Sequence, residues 1–199
     1  QAGSRLHIIG VGGTAALAAA LHAKALGVSV SGYDQALAGE SATILSHAGI
    51  PVGSSASPEV LHSCTALNAE STVAISKAIT STQTNHPEVL LAREAGARAV
   101  SVQQVIADAA ATRGGLLIGV GGTHGKTTTS SMLALILLGA GLDPSFLIGG
   151  EISQLGTNAK WSDGEWFVLE ADESDGSGFS IDHEALIVTN IEADHLEFH

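Results

Sequence analysis

The sequence predicts an α/β protein in which a Rossmann-like parallel-sheet domain is followed by the first part of a second α/β domain. Three observations carry this expectation. Short β-type runs alternate with longer helical runs, two strand-to-helix corners are rich in glycine ("GVGG" at 10–13 and "GGTHGK" at 121–126), and the alternation pauses at "ATRGG" (111–115) before it restarts.

Each element follows from its residues. "LHIIGV" (6–11) has the unbroken apolar character of a strand buried on both faces, and "TAALAAALHAKALG" (14–27) is an alanine-rich helix that stops at Gly27. "VSVSGYD" (28–34) is the next strand and "ESATILSHAG" (40–49) the next helix. "STVAISKAI" (71–79) reads as a strand running into a loop, and "HPEVLLAREAG" (86–96) as a helix with Pro87 in its first turn and Gly96 as its stop. "ARAVS" (97–101) and "VQQVIADAAA" (102–111) complete the first series. After the pause come the strand "LLIGVGG" (116–122), the helix "KTTTSSMLALILLGAG" (126–141) and two further strands, "EWFVLEAD" (165–172) and "EALIVTN" (184–190). The expected domains are 1–112 and 113–199. The second breaks off just past a strand, which leads us to expect an N-terminal piece of a larger protein with an exposed apolar face near 116–138 and a tendency to self-associate.

Composition narrows the possible partners. The 199 residues carry 20 Asp and Glu against 8 Lys and Arg, a formal charge of -12, which disfavours nucleic acid and anionic membranes. With 45% hydrophobic and 14% charged residues the chain has the makings of a folded core. Apolar runs such as 132–138 are too short to span a bilayer, no secretion signal opens the chain, and Cys64 is the single cysteine. A cytoplasmic protein is expected.

The corner at 121–129 is the strongest chemical signal. A strand, a glycine turn and a helix beginning at Lys126 and Thr127 aim backbone N–H groups and a helix dipole at one point, where phosphate oxygens fit. Lys126 adds a mobile positive charge for the β and γ phosphates, and the Thr127 hydroxyl is placed to ligate Mg²⁺. This is the pattern of a P-loop ATPase-type domain, although Val120 stands where the strict motif has its outer glycine. Further on, Glu170, Asp172, Glu173 and Asp175 crowd the end of a strand; carboxylates so close repel one another unless a cation intervenes, and Mg²⁺ takes such hard oxygen ligands. Asn190 and His195 follow the last strand, where sites gather in open α/β sheets. His7, His22, His47, His62, His86 and His183 are read as ordinary polar groups.

In the first domain, "GVGGTA" (10–15) follows a strand and opens a helix, and Asp34 ends the next strand. Together they suit a dinucleotide, another nucleotide diphosphate, or tight helix packing alone.

Taken together, "GTHGKTTT" (122–129), "EADESD" (170–175) and "TNIEADHLE" (189–197) resemble the Mur ligases, ATP-dependent amide-bond-forming enzymes of peptidoglycan synthesis. Their loop also lacks the outer glycine. Within the family, the first-domain segments "SGYD" (31–34), "VAISKAI" (73–79) and "NHPEVLLAREAG" (85–96) are most similar to members that join L-alanine to UDP-N-acetylmuramate. The resemblance implies that Gly10, Gly12, Gly13 and Asp34 bind the UDP-sugar and that Gly122, Thr123, His124, Gly125, Lys126, Thr127, Thr128 and Asn190 line the ATP site. It further implies Lys126, Glu173 and His195 in catalysis, Thr127, Glu173 and His195 as metal ligands, and an acyl phosphate on the reaction path. A third domain of the family has no counterpart here, so the chain alone is expected to be inactive. Competing expectations are a recycling ligase that attaches a tripeptide to the same sugar, a nonenzymatic nucleotide-binding module, and, on "GVGGTA" alone, an NAD-dependent dehydrogenase.

Overall fold

Strand β1 (Arg5–Ile9) is buried at every position after the first and is flanked on both sides, which is why its sequence is apolar without alternation. The computed structural model describes residues 5–53, 67–80, 85–171 and 182–192. Two compact units divide the chain, Gln1–Ile106 and Ala107–His199. The division falls inside a helix, Val102–Arg113, a few residues before the pause in the sequence.

In the first unit β1 pairs in parallel with β2 (Ser29–Tyr33) and β4 (Ser71–Ile75), so that Arg5 lies opposite both Ser29 and Ser71. A two-residue strand, β3 (Val52–Gly53), and β5 (Arg98–Ser101) close the order β3-β2-β1-β4-β5. The sheet is covered by α1 (Thr14–Ala25), α2 (Gly39–His47), the short α3 (Lys77–Thr80) and α4 (Pro87–Glu94), followed by α5 (Val102–Arg113). Alanine gives α1 high helix propensity, and its small side chains let it sit close to the sheet. The helix ends because Gly27 adopts φ +79°, donating to the Lys24 carbonyl while Val28 donates to that of Ala23. The same closing pair of bonds recurs at Gly49, Gly96, Gly114 and Gly141. Ile9, Tyr33, Val73, Val89 and Ala92 form one core cluster.

Three histidines correct the reading of ordinary polar groups, since His7, His22 and His86 are all buried. His7 is 2% exposed, with Nδ1 3.0 Å from Ser31 Oγ and Nε2 3.0 Å from Glu88 Oε2, a buried polar chain that ties β1 to β2 and α4. His86 is buried too: its Nδ1 accepts the Glu88 amide as the N-cap of α4, with Pro87 next, and its ring meets Tyr33 edge to face. Burial pushes the His86 pKa down, partly offset by nearby Glu88, and burial raises that of Tyr33, aided by Glu88 and Asp34.

In the second unit, β6 (Leu116–Gly121) lies between β9 (Trp166–Glu170) and β10 (Ala185–Val188), both parallel to it. Helix α6 (Lys126–Gly139) follows β6 and shares a core with β6, β7 (Ser145–Ile152) and β9 through Val120, Ala134, Phe146, Ile148, Ile152 and Val168. With β8 (Thr157–Lys160) at one edge, the order is β10-β6-β9-β7-β8.

Three expectations change. The sequence reading missed β7 and β8 (Thr157–Lys160), which pair antiparallel, so the second sheet is mixed. Residues 71–79 are a strand only to Ile75; Ser76 still donates to the Ile9 carbonyl, after which the chain turns into α3. The apolar exposure expected at 116–138 lies on α6 and not on β6: Leu117 and Val120 are buried, whereas Met132 and Ile136 are exposed. Further apolar exposure lies on β10, at Leu186, Ile187 and Val188. Among the described residues no helix is long and apolar enough to cross a membrane.

Candidate functional site

The loop after β6 owes its shape to two glycines and to the chain that runs beside it. Gly122 (φ +124°) and Gly125 (φ +84°) occupy backbone regions that other residues enter at a cost, and Gly125 is the N-cap of α6. Thr129 donates to the Gly125 carbonyl, which closes the first helical turn. The amides of Lys126, Thr127 and Thr128 precede that ladder and stand at the positive end of the helix dipole.

Residues 189–192, which continue β10, strap this loop in place. The Thr189 amide donates to Gly121 O at 3.0 Å, and its hydroxyl donates to His124 O at 2.6 Å. Asn190 donates from Nδ2 to His124 O at 2.8 Å and accepts the His124 amide at Oδ1 at 3.0 Å. Glu192 N donates to Thr123 Oγ1 at 3.1 Å. A side chain on Gly122 would collide with Thr189, so the loop and its strap are matched in shape. Asn190, expected to line the nucleotide site, spends its amide on the backbone of the loop. His124 and Glu192 approach to 3.9 Å, but both are largely exposed, and such a pair contributes little.

Lys126 Nζ, partly buried, donates to Gly122 O at 2.6 Å and Thr123 O at 3.3 Å, so its ammonium lies over the loop. Beside it, Thr127 Oγ1 donates to Glu170 Oε1 at 3.0 Å, and the amide of Gly149 on β7 donates to Glu170 Oε2 at 2.7 Å. Thr127 and Glu170 are brought together from the first turn of a helix and the last residue of a strand. Hydroxyl and carboxylate oxygens are the hard donors that Mg²⁺ takes, usually two or so from protein with water and phosphate supplying the rest. The pair fits that ion. Among the described residues no three His, Cys, Asp or Glu side chains gather into a metal-binding group.

Glu173 and His195 lie outside the described residues. The carboxylate placed against Thr127 is that of Glu170, which the sequence reading counted in the acidic cluster but did not single out. A signal existed: Glu170 is the residue at the strand end, where sites form in such sheets, whereas Glu173 comes three positions later. Thr189 and Gly149 were missed as well.

In the first unit, Gly10, Gly12, Gly13 and Asp34 come together at the carboxyl end of β1, where the sheet order reverses between β2 and β4. The turn satisfies itself. Gly10 N and Val11 N donate to Tyr33 O at 2.7 and 3.2 Å, Gly13 N donates to Gly10 O at 3.3 Å, and Gly12 N donates to Asp34 Oδ2 at 2.8 Å. Asp34 Oδ1 also accepts the Ala36 amide at 2.9 Å, so the carboxylate is occupied with the turn. Donors for an anion are left at the first turn of α1, which begins at Thr14. At Gly10 a β-carbon would lie 2.9 Å from Ser76, and at Gly12 2.8 Å from Asp34, so these glycines serve close approach.

Residues 5–113 match the Mur ligase family, catalytic domain, and residues 120–199 match the Mur ligase middle domain. The chain is 42% identical over 97% of its length to the UDP-N-acetylmuramate–L-alanine ligase of Renibacterium salmoninarum, and 38% identical over 96% to that of Variovorax paradoxus. It spans 39% and 37% of those two relatives. Among solved structures it is similar to the UDP-N-acetylmuramate:L-alanyl-gamma-D-glutamyl-meso-diaminopimelate ligase of Neisseria meningitides, with TM-score 0.76, 32% identity and coverage of 98% of this chain and 62% of that one. It is also similar to the UDP-N-acetylmuramate-alanine ligase of Thermotoga maritima, with TM-score 0.73, 27% identity and coverage of 97% and 43%.

Proposed function

This chain belongs to the Mur ligase family, and from that premise we propose that it supplies the sugar-nucleotide and ATP sites of a ligase joining L-alanine to UDP-N-acetylmuramate. The observation that carries this reading is the meeting of Lys126, Thr127 and Glu170 at one corner of the second sheet.

In the proposed reaction the sugar carboxylate attacks the γ-phosphorus of ATP, ADP leaves, and the amine of L-alanine displaces phosphate from the acyl phosphate. Two anions must approach each other for this to start. The α6 amides and the Lys126 ammonium hold the phosphates and offset their charge, while Thr127 and Glu170 would hold Mg²⁺. When bound, that ion neutralises phosphate charge and fixes phosphate orientation. Glu173 and His195 are retained as contributors to the metal or phosphate, on sequence grounds. In the first unit, the start of α1 would receive the diphosphate of the sugar nucleotide, with the glycine turn allowing close approach and Asp34 bracing it. Cytoplasmic location accords with a nucleotide substrate and the single cysteine.

A second reading, a ligase for a tripeptide acceptor on the same sugar, draws on the likeness to the Neisseria structure. L-alanine stands first because the curated relatives at 38 to 42% identity carry that name. The test has two parts. Titration of this chain with Mg·ATP and with UDP-N-acetylmuramate should show one site for each, with ATP binding abolished by Lys126→Ala. Protein carrying these residues at the full length of its relatives should release phosphate with L-alanine and not with the tripeptide; the reverse preference establishes the second reading, and binding of neither nucleotide refutes both.

A further inference from the structure

We propose that Gly149 is a positioning residue: its bare backbone seats the Glu170 carboxylate against Thr127 and so sets the affinity of that pair for a divalent cation. The inference rests on the proposed reading that Thr127 and Glu170 hold the cation.

The Glu170 carboxylate is held at both oxygens. Oε1 accepts from Thr127 at 3.0 Å, and Oε2 accepts the Gly149 amide at 2.7 Å. A β-carbon added at Gly149 would stand 2.8 Å from Oε1, 3.1 Å from Cδ and 3.2 Å from Oε2. Real β-carbon contacts essentially never fall as short as the first of these, so a side chain there requires the carboxylate, the flexible end of Glu170, to shift from the position in which it meets Thr127. The backbone itself does not ask for glycine, because Gly149 is absent from the positive-φ glycines that include Gly122 and Gly125. Room for Glu170 is the requirement this position meets.

Strand β7 is shaped to offer that amide. Its parallel pairing with β9 runs from Ser145 to Leu147, and its register with β8 slips between Leu147 and Ile152. Irregularities of this kind redirect groups beside functional sites. Here the amide beyond the paired stretch turns to a side chain. The next residue, Gly150, is also tight: a β-carbon there would lie 3.1 Å from Thr127 Cγ2. The two glycines therefore leave space for one member each of the Thr127–Glu170 pair.

Hydrogen-bond partners that orient a metal-binding group typically carry about 10- to 100-fold in metal affinity. The test measures the affinity of this chain for a fluorescent ATP analogue without divalent metal and with saturating Mn²⁺, and takes the ratio. Gly149→Ala should lower that ratio about 10-fold, in keeping with that range, while leaving the metal-free affinity and the thermal unfolding midpoint close to native. In the Glu170→Gln background the same substitution should add nothing, since a residue acting through Glu170 has no effect once the carboxylate is gone. A native ratio in Gly149→Ala beside a reduced one in Glu170→Gln overturns this inference alone, as does an equal loss in both backgrounds. No metal-dependent component in the native chain, or none lost in Glu170→Gln, overturns the cation reading with it.

Discussion

Asn190 grips the peptide of His124 from both sides, donating to its carbonyl at 2.8 Å and accepting its amide at 3.0 Å. A carboxamide carries a donor and an acceptor side by side, which this grip uses. Asn190→Asp keeps the acceptor but sets a carboxylate against the His124 carbonyl, and Asn190→Ala removes both bonds. Each should weaken Mg·ATP binding about 10-fold, the worth of one or two hydrogen bonds at about 1 kcal/mol each. Isothermal titration checks this, with binding of UDP-N-acetylmuramate unchanged as the internal control.

Lys126→Met replaces the ammonium over the loop with an apolar group of similar length. ATP affinity should fall about 100-fold, within the range of a hydrogen bond to a charged group. The loss should shrink as salt is raised, because the missing contribution is a charge on a partly exposed site.

Glu170→Gln and Glu173→Gln separate two acidic neighbours. Structure favours Glu170 at the Thr127 hydroxyl, so Glu170→Gln should reduce the Mg²⁺ dependence of nucleotide binding about 10-fold or more. A smaller effect in Glu173→Gln than in Glu170→Gln is the expected order.

His7→Leu leaves the Glu88 carboxylate buried without its partner and should destabilise the first unit by about 3 to 5 kcal/mol. His7→Leu with Glu88→Met should recover much of that loss, since both polar groups are then gone. Chemical denaturation followed by a probe in the first unit distinguishes the two.

His86 makes the first unit sensitive to acid. Its folded pKa lies below the ordinary 6.5, chiefly through burial, so the unfolded chain takes up the proton first. The stability it contributes is complete above 6.5, declines as pH falls through the folded value, and is flat below that. Protonation of Nδ1 would also remove the acceptor that caps α4. His86→Asn keeps a capping oxygen without a titrating ring and should flatten the dependence in this window, as read by thermal unfolding across pH.

Much of the frame was legible because local rules and the fold agree. Gly27 and Gly96 stop helices where the sequence said they would, and the corner at Lys126 was found from a strand, a glycine turn and a helix start. Strands β7 and β8 were missed for a physical reason: "SFLIGGEI" is interrupted by two glycines kept small for neighbouring side chains, and "TNAK" is a short edge strand whose polar residues resemble a loop. His7 was read as an ordinary polar group because its partners, Ser31 and Glu88, lie 24 and 81 residues away. Asn190 was expected to line the nucleotide site, and whether it faces a ligand or the loop at 121–126 depends on where β10 lies in the sheet. Parallel pairing with β6 decides that, and no local pattern encodes it.

The glycine turn of the first unit, with its four amides already engaged by Tyr33, Asp34 and Gly10, is a surface finished before anything docks. Freedom lost on association there belongs mostly to the incoming molecule, whose rotatable linkages must settle into a fixed contour. Conformationally stiffened mimics of the proposed sugar-nucleotide ligand should therefore gain more at this face than analogues decorated with extra hydrogen-bonding groups.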